Sequence, residues 1–246
     1  MTGIDGRRIA TAGGAMLALD EQLGGADDAA VERIFEPSHW RGAARIEPVA
    51  RGRGSAWFIR DGSRDWVLRH FRRGGFIARL CADRYVWTGE ERVRAFAEGR
   101  LLAALCARGL PVPQPVAARY RRRFLTYRCD LITRRIADAQ PLSVLLAAAP
   151  IADAQWRAVG AAVARLHRAG VDHADLNAHN ILVDGRGAVS VIDFDRGRIR
   201  ADGAWRRRNL RRLHRSLVKI TAGGALERFA RADWDAFMGG YGAGAA

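Results

Sequence analysis

Three oxygen-bearing side chains stand out by type and spacing. Asp175 and Asn180 lie five residues apart in His173-Ala-Asp-Leu-Asn-Ala-His-Asn180, and Asp193 follows in Val191-Ile-Asp193-Phe-Asp195. A carboxylate that orients an attacking hydroxyl, joined by a carboxamide and a second carboxylate as oxygen donors to a hard cation, is what phosphoryl transfer from a magnesium nucleotide requires. An Asp-x-x-x-x-Asn spacing alone is common by chance, and an aspartate after a strand is commonly a cap. The ordered surroundings decide.

Around that loop the sequence predicts two short strands, Ile181–Val183 and Val189–Ile192, joined by the hairpin turn Asp184-Gly-Arg-Gly187. Asp153 caps a helix over Trp156–Ala169, which Gly170 ends, and Pro141 opens another through Ala149. Upstream the pattern is strand-rich: Ile46–Ala50, Ser55–Arg60 and Asp65–Phe71, with turns at Arg51-Gly-Arg-Gly54 and Asp61-Gly62. Gly52 and Gly54 let backbone amides approach a phosphate, although an ordinary hairpin turn explains them as well. Arg69 rides the third of these strands, and Glu98 lies on a helix over Arg92–Arg108 that Gly109 closes. After Leu110-Pro-Val-Pro-Gln-Pro115, which forbids helix, come strands at Val116–Tyr120 and Leu125–Ile132. The N-terminal stretch predicts a hairpin about Gly13-Gly14 and a short helix from Asp27-Asp28 to Phe35. Trp205–Ile220 reads as an amphipathic helix, Leu210, Leu213 and Leu217 on one face and Arg208, Arg211, Arg212, Arg215 and Lys219 on the other. The small-residue stretch Gly239 to Ala246 is expected to be unstructured. A shift from strand-rich to helix-rich sequence near residue 136 marks a lobe boundary.

The charge balance is unusual. The chain carries 41 Lys and Arg against 26 Asp and Glu, a formal net charge of +15, and Lys219 is the only lysine. Arginine forks fit phosphate and carboxylate bidentately, so an anionic partner is expected. Nucleic acid is the general alternative, but no nucleic-acid-binding motif accompanies the charge. The aromatics of the insert after Phe71, Tyr85 and Trp87 among Arg79 and Arg84, suit either a lipid headgroup surface or a core. Cys81, Cys106 and Cys129 show no metal-ligand spacing and read as small hydrophobes in a reducing compartment. Gly, Asp and Arg interrupt any apolar run of signal-peptide type near the N-terminus, and no window reaches the length of a membrane span.

In order, the pieces are a glycine turn, a strand with a cation, a helix with a glutamate, a strand and linker, a helix, Asp175 with Asn180, a hairpin and Asp193. This order resembles the protein-kinase-like fold, an α+β bilobal architecture with a strand-rich N-lobe (1–136) and a short helical C-lobe (137–246). The segments Arg51-Gly-Arg-Gly-Ser-Ala-Trp-Phe58, Leu68-Arg-His-Phe-Arg-Arg-Gly-Gly75, Asp130-Leu-Ile-Thr-Arg-Arg-Ile136 and His173-Ala-Asp-Leu-Asn-Ala-His-Asn-Ile-Leu182 are similar to the lipopolysaccharide core kinases. The resemblance implies that Asp175 orients the acceptor hydroxyl or takes its proton, that Asn180 and Asp193 bind Mg2+, and that Gly52, Gly54 and Ser55 lie over the phosphates of ATP. It implies that Arg69 stands where the family pattern has a lysine, with Glu98 its partner, and that backbone groups of Arg134 to Ile136 hold the adenine edge. It further implies phosphorylation of the 4-hydroxyl of a 3-deoxy-D-manno-octulosonic acid (Kdo) residue on a lipid A precursor, at the cytoplasmic face of the inner membrane, by a peripheral protein. Arg72 and Arg73 would then grip the acceptor, and the basic face of Arg208–Lys219 would assist on the anionic membrane surface. A heptose or other small-molecule kinase of the same fold, a pseudokinase scaffold and a basic nucleic-acid-binding module are the alternatives.

Overall fold

The computed structural model describes residues 6–40, 45–48, 56–62, 64–72, 83–221 and 229–244. These divide into two compact units, residues 1–104 with 114–135, and residues 105–113 with 136–246.

The first unit is built on strands β1 (Arg7–Thr11), β2 (Gly14–Ala18), β3 (Arg45–Pro48), β4 (Ala56–Asp61), β5 (Arg64–His70), β6 (Tyr85–Val86), β7 (Pro115–Arg123) and β8 (Thr126–Arg134). They form an eight-stranded sheet in the order β1-β2-β7-β8-β5-β4-β3, with β6 paired to β8 and every ladder antiparallel. The expected hairpin about Gly13-Gly14 is β1–β2. Gly14 is required there, because a Cβ would lie 2.1 Å from the Tyr120 carbonyl oxygen on the neighbouring strand.

Strand alternation sends the two sides of β5 to different neighbours. Trp66 and Leu68 enter a core with Ile9, Met16, Phe35, Trp40 and Ile132, which the short helices α1 (Glu21–Gly24) and α2 (Asp28–Arg33) help to build through Leu23 and Val31. Arg69 points to the opposite side and meets Glu98 of helix α3 (Arg94–Ala107). Register also puts two of the quoted segments side by side. His70 lies opposite Asp130, and their side chains bond at 2.6 Å. Asp130 in turn accepts from Arg119 at 3.0 Å, and Arg119 donates to Glu36 at 2.6 Å. Burial alone would raise the Asp130 carboxyl, but the hydrogen bonds and charges of His70 and Arg119 hold it below its ordinary range. Of the two aromatics at β6, Tyr85 is buried against Tyr127, while the half-buried Trp87 packs its ring on Tyr120 at 5.1 Å.

The second unit is helical. Its elements are β9 (Gln140–Pro141), α4 (Leu142–Ala148), α5 (Asp153–Arg168), β10 (Val171–Asp172), β11 (Ile181–Val183), β12 (Val189–Val191), β13 (Arg198–Ile199), α6 (Trp205–Thr221) and α7 (Arg231–Ala243). The sheets are small: β12-β11-β9 and β10-β13. The C-terminal stretch corrects an expectation, since Gly239 to Ala243 continue helix α7 rather than forming an unstructured tail. The glycines that suggested disorder permit close helix packing. A Cβ on Gly160 of α5 would meet the Phe237 carbonyl oxygen at 2.0 Å, and one on Gly240 of α7 would meet the Arg157 carbonyl oxygen at 2.1 Å. Glycine here serves interhelical approach, which composition alone does not separate from flexibility. The two units together make a mixed α+β chain of the protein-kinase-like type, strand-rich first and helical second.

Candidate active site

The loop between β10 and β11 is pinned from below. Asp172 is buried and accepts from the Asn209 side chain at 3.0 Å, the Ala174 N–H at 3.2 Å and Arg200 at 3.1 Å. Burial would raise this carboxyl, and the bonds from Asn209, Ala174 and Arg200 more than reverse that, so it stays ionised below its usual range. His173 is fully enclosed. Its Nε2 meets the Ile192 carbonyl at 2.9 Å, its N–H donates to Asn209 Oδ1 at 3.1 Å, and its ring packs on Phe194 at 4.6 Å. Burial pushes the imidazole down against the pull of the Ile192 carbonyl and of Asp193 and Asp175, so His173 stands as a neutral strut.

That strut sets up the next residues. Ala174 is held in the left-handed region (φ 49°), and the Asp175 N–H turns back to the His173 carbonyl. A non-glycine residue kept at such a φ marks backbone that its surroundings over-determine. The Asp175 carbonyl then accepts from the side chains of Asn177 (2.8 Å) and Asn180 (3.1 Å), while Asn177 Oδ1 caps the His179 N–H at 2.9 Å. Backbone and side chains thus close the five-residue span from Asp175 to Asn180 on itself, leaving the Asp175 carboxylate outward and half exposed.

Asn180 and Asp193 are brought together by the β11–β12 hairpin. Ile181 pairs with Val191, the Ile192 N–H reaches the Asn180 carbonyl at 2.9 Å, and Asp193 follows with φ 67°. The Asn180 amide nitrogen is anchored on the loop, so its Oδ1 is the end available to a cation. Together with the Asp193 carboxylate this makes an all-oxygen donor pair suited to Mg2+, which commonly takes one or two protein oxygens and completes its shell with phosphate and water. Among the described residues no group of three or more His, Cys, Asp or Glu side chains forms a metal cluster.

Helix α6 supplies residues that sequence reasoning missed. Asn209, Arg212 and Ser216 fall at i, i+3 and i+7 and all touch the loop: Asn209 at Asp172 and His173, Ser216 Oγ at the Ala178 N–H (3.1 Å), and Arg212 at the Asp175 carboxylate (3.0 Å). The expected solvent face therefore holds one cation, Arg212, that is engaged by the candidate catalytic carboxylate. A signal was available: Trp205, Asn209, Leu213 and Leu217 are buried at a spacing of four, so a polar Asn209 sits in an apolar stripe and needs internal partners.

In the strand-rich unit, Arg69 and Glu98 form an ion pair with Glu98 almost wholly buried, and the Arg69 guanidinium lies 4.5 Å over the Phe71 ring. The Arg134 N–H is engaged by the Gln114 carbonyl at 2.8 Å and its side chain by Asp20 at 2.9 Å, while Ile136 is half-buried in the other unit. Arg72 is exposed just beyond β5. Gly52, Gly54, Ser55 and Arg73 lie outside the described residues, as does Cys81.

An antiparallel unit with a strand arginine on a helix glutamate, and a helical unit with a pinned Asp-x-x-x-x-Asn loop and an aspartate after a hairpin, define a phosphotransferase of the protein-kinase-like class. The chain belongs to the lipopolysaccharide kinase (Kdo/WaaP) family, whose model matches residues 38–241. It is 51% identical over 191 residues to a 3-deoxy-D-manno-octulosonic acid kinase of Stenotrophomonas maltophilia (strain K279a), covering 76% of this chain and 75% of that one. A protein of the same name from Xanthomonas axonopodis pv. citri (strain 306) is 48% identical over 209 residues, 84% of this chain and 81% of its own. Another from Photobacterium profundum is 42% identical over 207 residues, covering 84% and 87%.

Proposed function

We propose that this chain is an ATP-dependent kinase that phosphorylates the 4-hydroxyl of a Kdo residue on a lipid A precursor, in assembly of the lipopolysaccharide core. The observation that carries the reading is the pinned loop presenting Asp175 outward, in a chain about half identical to Kdo kinases. Residues 1–136 act as the nucleotide lobe and 137–246 as the catalytic lobe.

Asp175 accepts the proton of the acceptor hydroxyl as its oxygen bonds to the γ-phosphorus and the bond from that phosphorus to the β–γ bridging oxygen breaks, releasing ADP. The anchored backbone around Asp175 keeps that carboxylate oriented without rearrangement. Asn180 Oδ1 and the Asp193 carboxylate would hold Mg2+. When bound, that ion neutralises charge on the phosphates. Arg69, fixed by Glu98, pairs with the nucleotide phosphates in place of the lysine of the family pattern. Gly52, Gly54 and Ser55 cover the phosphates, and the Arg134–Ile136 backbone takes the adenine edge. Arg72 and Arg73 are assigned to the anionic acceptor. No helix among the described residues is long and apolar enough to cross a membrane, and we assign the enzyme to the cytoplasmic face of the inner membrane as a peripheral protein.

Labelled ATP offered with a Kdo-bearing lipid A precursor, a heptosylated acceptor and a generic peptide tests the proposal. Transfer to the Kdo acceptor alone is expected. Transfer only to the heptosylated acceptor would redirect it to a heptose, and transfer only to the peptide would reject it.

A further inference from the structure

Among the described residues, large apolar side chains stand in solvent at five positions, and three of them meet at one place. Phe124 and Leu125 form the two-residue turn between β7 and β8, and Val86 pairs with Thr126 beside it. Phe124 is 83% exposed and Leu125 76%. The backbone makes the choice of residues more pointed. Two-residue hairpin turns take glycine or asparagine where φ is positive, yet Phe124 occupies φ 53°. A phenylalanine in the left-handed region, with its ring in water, runs against both backbone and hydration preference. Strain of that kind is retained where a side chain has a task.

The surroundings say what the task is. From Arg119 to Arg128 the chain holds Arg119, Arg121, Arg122, Arg123 and Arg128 and no acidic residue. Arg121 lies directly opposite Arg128 in the ladder, a like-charge pair that repels. Glu36 and Asp83, reaching in from elsewhere, pair with Arg121 and Arg128 respectively. Arg122 braces the turn, its Nε on the Phe124 carbonyl at 3.0 Å and its guanidinium 4.7 Å over Trp87. Arg123 is exposed. A cavity of about 450 Å3 beside the hairpin is lined by arginines, Arg121, Arg123 and Arg128 among them, and also by Glu36, Asp83 and Asp130, so the arginines outnumber the carboxylates there without excluding them. An apolar point flanked by an excess of arginines matches the boundary between acyl chains and anionic headgroups.

We infer that the β7–β8 tip is where this chain docks on an anionic lipid bilayer: Phe124 and Leu125 enter the acyl boundary, and Arg121, Arg123 and Arg128 meet lipid phosphates. The inference rests on the proposed function only in that a lipid-linked acceptor calls for such a surface. It places the contact at the tip rather than on the basic face of α6, because Phe124 and Leu125 are the most exposed large apolar side chains among the described residues. Along β8 the tip stands roughly 17 Å from Leu131, the residue that faces Arg69, at the usual rise per residue.

Co-sedimentation of the full chain with phosphatidylethanolamine–phosphatidylglycerol vesicles, against phosphatidylcholine vesicles, tests it. The wild type is expected on the anionic vesicles only, with binding weakened by salt. The double variant Phe124→Ser, Leu125→Ser loses about tenfold or more in affinity, Phe124→Trp retains binding, and Arg121→Gln with Arg123→Gln loses about tenfold. Phosphorylation of a water-soluble Kdo oligosaccharide serves as the parallel readout. Every tip variant keeps it, which also shows that the variants fold. Failure of the wild type to phosphorylate any Kdo acceptor would reject the proposed function without touching the vesicle result. The docking inference is overturned if the Ser double variant binds like wild type, or if phosphatidylcholine serves equally well. It is also overturned if Arg208→Gln, Arg211→Gln and Arg215→Gln together abolish binding that the tip variants preserve. Tip-dependent self-association without vesicle binding would assign the surface to a second copy instead.

Discussion

Two arginine–carboxylate pairs, one in each unit, use the same chemistry in opposite surroundings. In the strand-rich unit the Glu98 side chain is 2% exposed and Arg69 26%. In the helical unit Asp175 is 55% exposed and Arg212 48%. A pair drawn out of water is stabilised only while both members remain, and removing one strands the other at a cost of several kcal/mol. A half-exposed pair contributes about 0.2–1 kcal/mol and exchanges readily with solvent or ligand. The contrast suits the roles assigned here. Arg69 is to be fixed before a nucleotide arrives, whereas Asp175 must be free to take an acceptor hydroxyl.

The largest expected effect is on the exposed side. Asp175→Ala should lower turnover by about 10^3-fold, the scale of a positioned acid–base group, while the melting temperature stays close to wild type. Near-wild-type turnover would remove Asp175 from the mechanism. A large fall in stability would break the contrast, because it would make the pair structural.

Next is the buried side. Arg69→Ala leaves the Glu98 carboxylate enclosed without this partner, and should destabilise the chain by about 3 kcal/mol as well as raise the KM for ATP. Urea unfolding and initial rates at varied ATP separate the two effects. Arg69→Lys restores the charge without the fork, so recovery of stability together with ATP affinity would show that the charge suffices. An unchanged KM in Arg69→Ala would confine the arginine to a structural part.

These pairs also show what was legible. Asp175, Asn180 and Asp193 were visible because a short loop and a hairpin set their spacing, and Asp184-Gly-Arg-Gly187 announces the turn that brings Asn180 and Asp193 to neighbouring positions. Arg69 and Glu98 were paired only through the resemblance to the kinase-like pattern, since strand alternation and helix phase do not by themselves say which strand residue meets which helix residue. Arg212 was out of reach of such reasoning. Its partner lies 37 residues away, and helical periodicity says only that it avoids the core, which is true of any surface arginine. Gly240 was misjudged for a related reason: a glycine needed for close approach of two helices is spelled like one in a flexible tail.

A third test asks whether the interior of the helical unit, which keeps Asp172 ionised through its bonds, rejects the imidazolium charge of its buried histidines. Burial pushes His167 down to about 4 from an ordinary 6.5, and His173 is shifted in the same direction. Below pH 6.5 the unfolded chain binds protons that the folded chain refuses, so stability is intact above that pH and declines as pH falls toward 4. His167 alone contributes on the order of 3 kcal/mol to that decline. The carboxylates Asp130 and Asp172, held low in the folded state, lose their contribution only further down, below their ordinary 3.8. Thermal melts across this range should slope for wild type and flatten for His167→Gln. A flat wild-type profile would mean that the two histidines accept protons in place.

The smallest expected effect is the most informative about Asp175. Arg212→Gln should change stability by no more than about 1 kcal/mol, since the pair is half exposed. It should lower kcat by about fivefold and leave the KM for ATP alone, because Arg212 touches the carboxylate that orients the acceptor and is assigned no part in holding nucleotide. Arg212→Lys should recover part of kcat, as an ammonium can still reach one carboxylate oxygen but cannot fork. A purely structural contact would instead shift the melting temperature with kcat unmoved. A rise in the KM for the Kdo acceptor at constant kcat would give Arg212 a different meaning: the guanidinium would release Asp175 and bind the acceptor's own carboxylate, and the exposed pair would then be a resting-state stand-in for substrate.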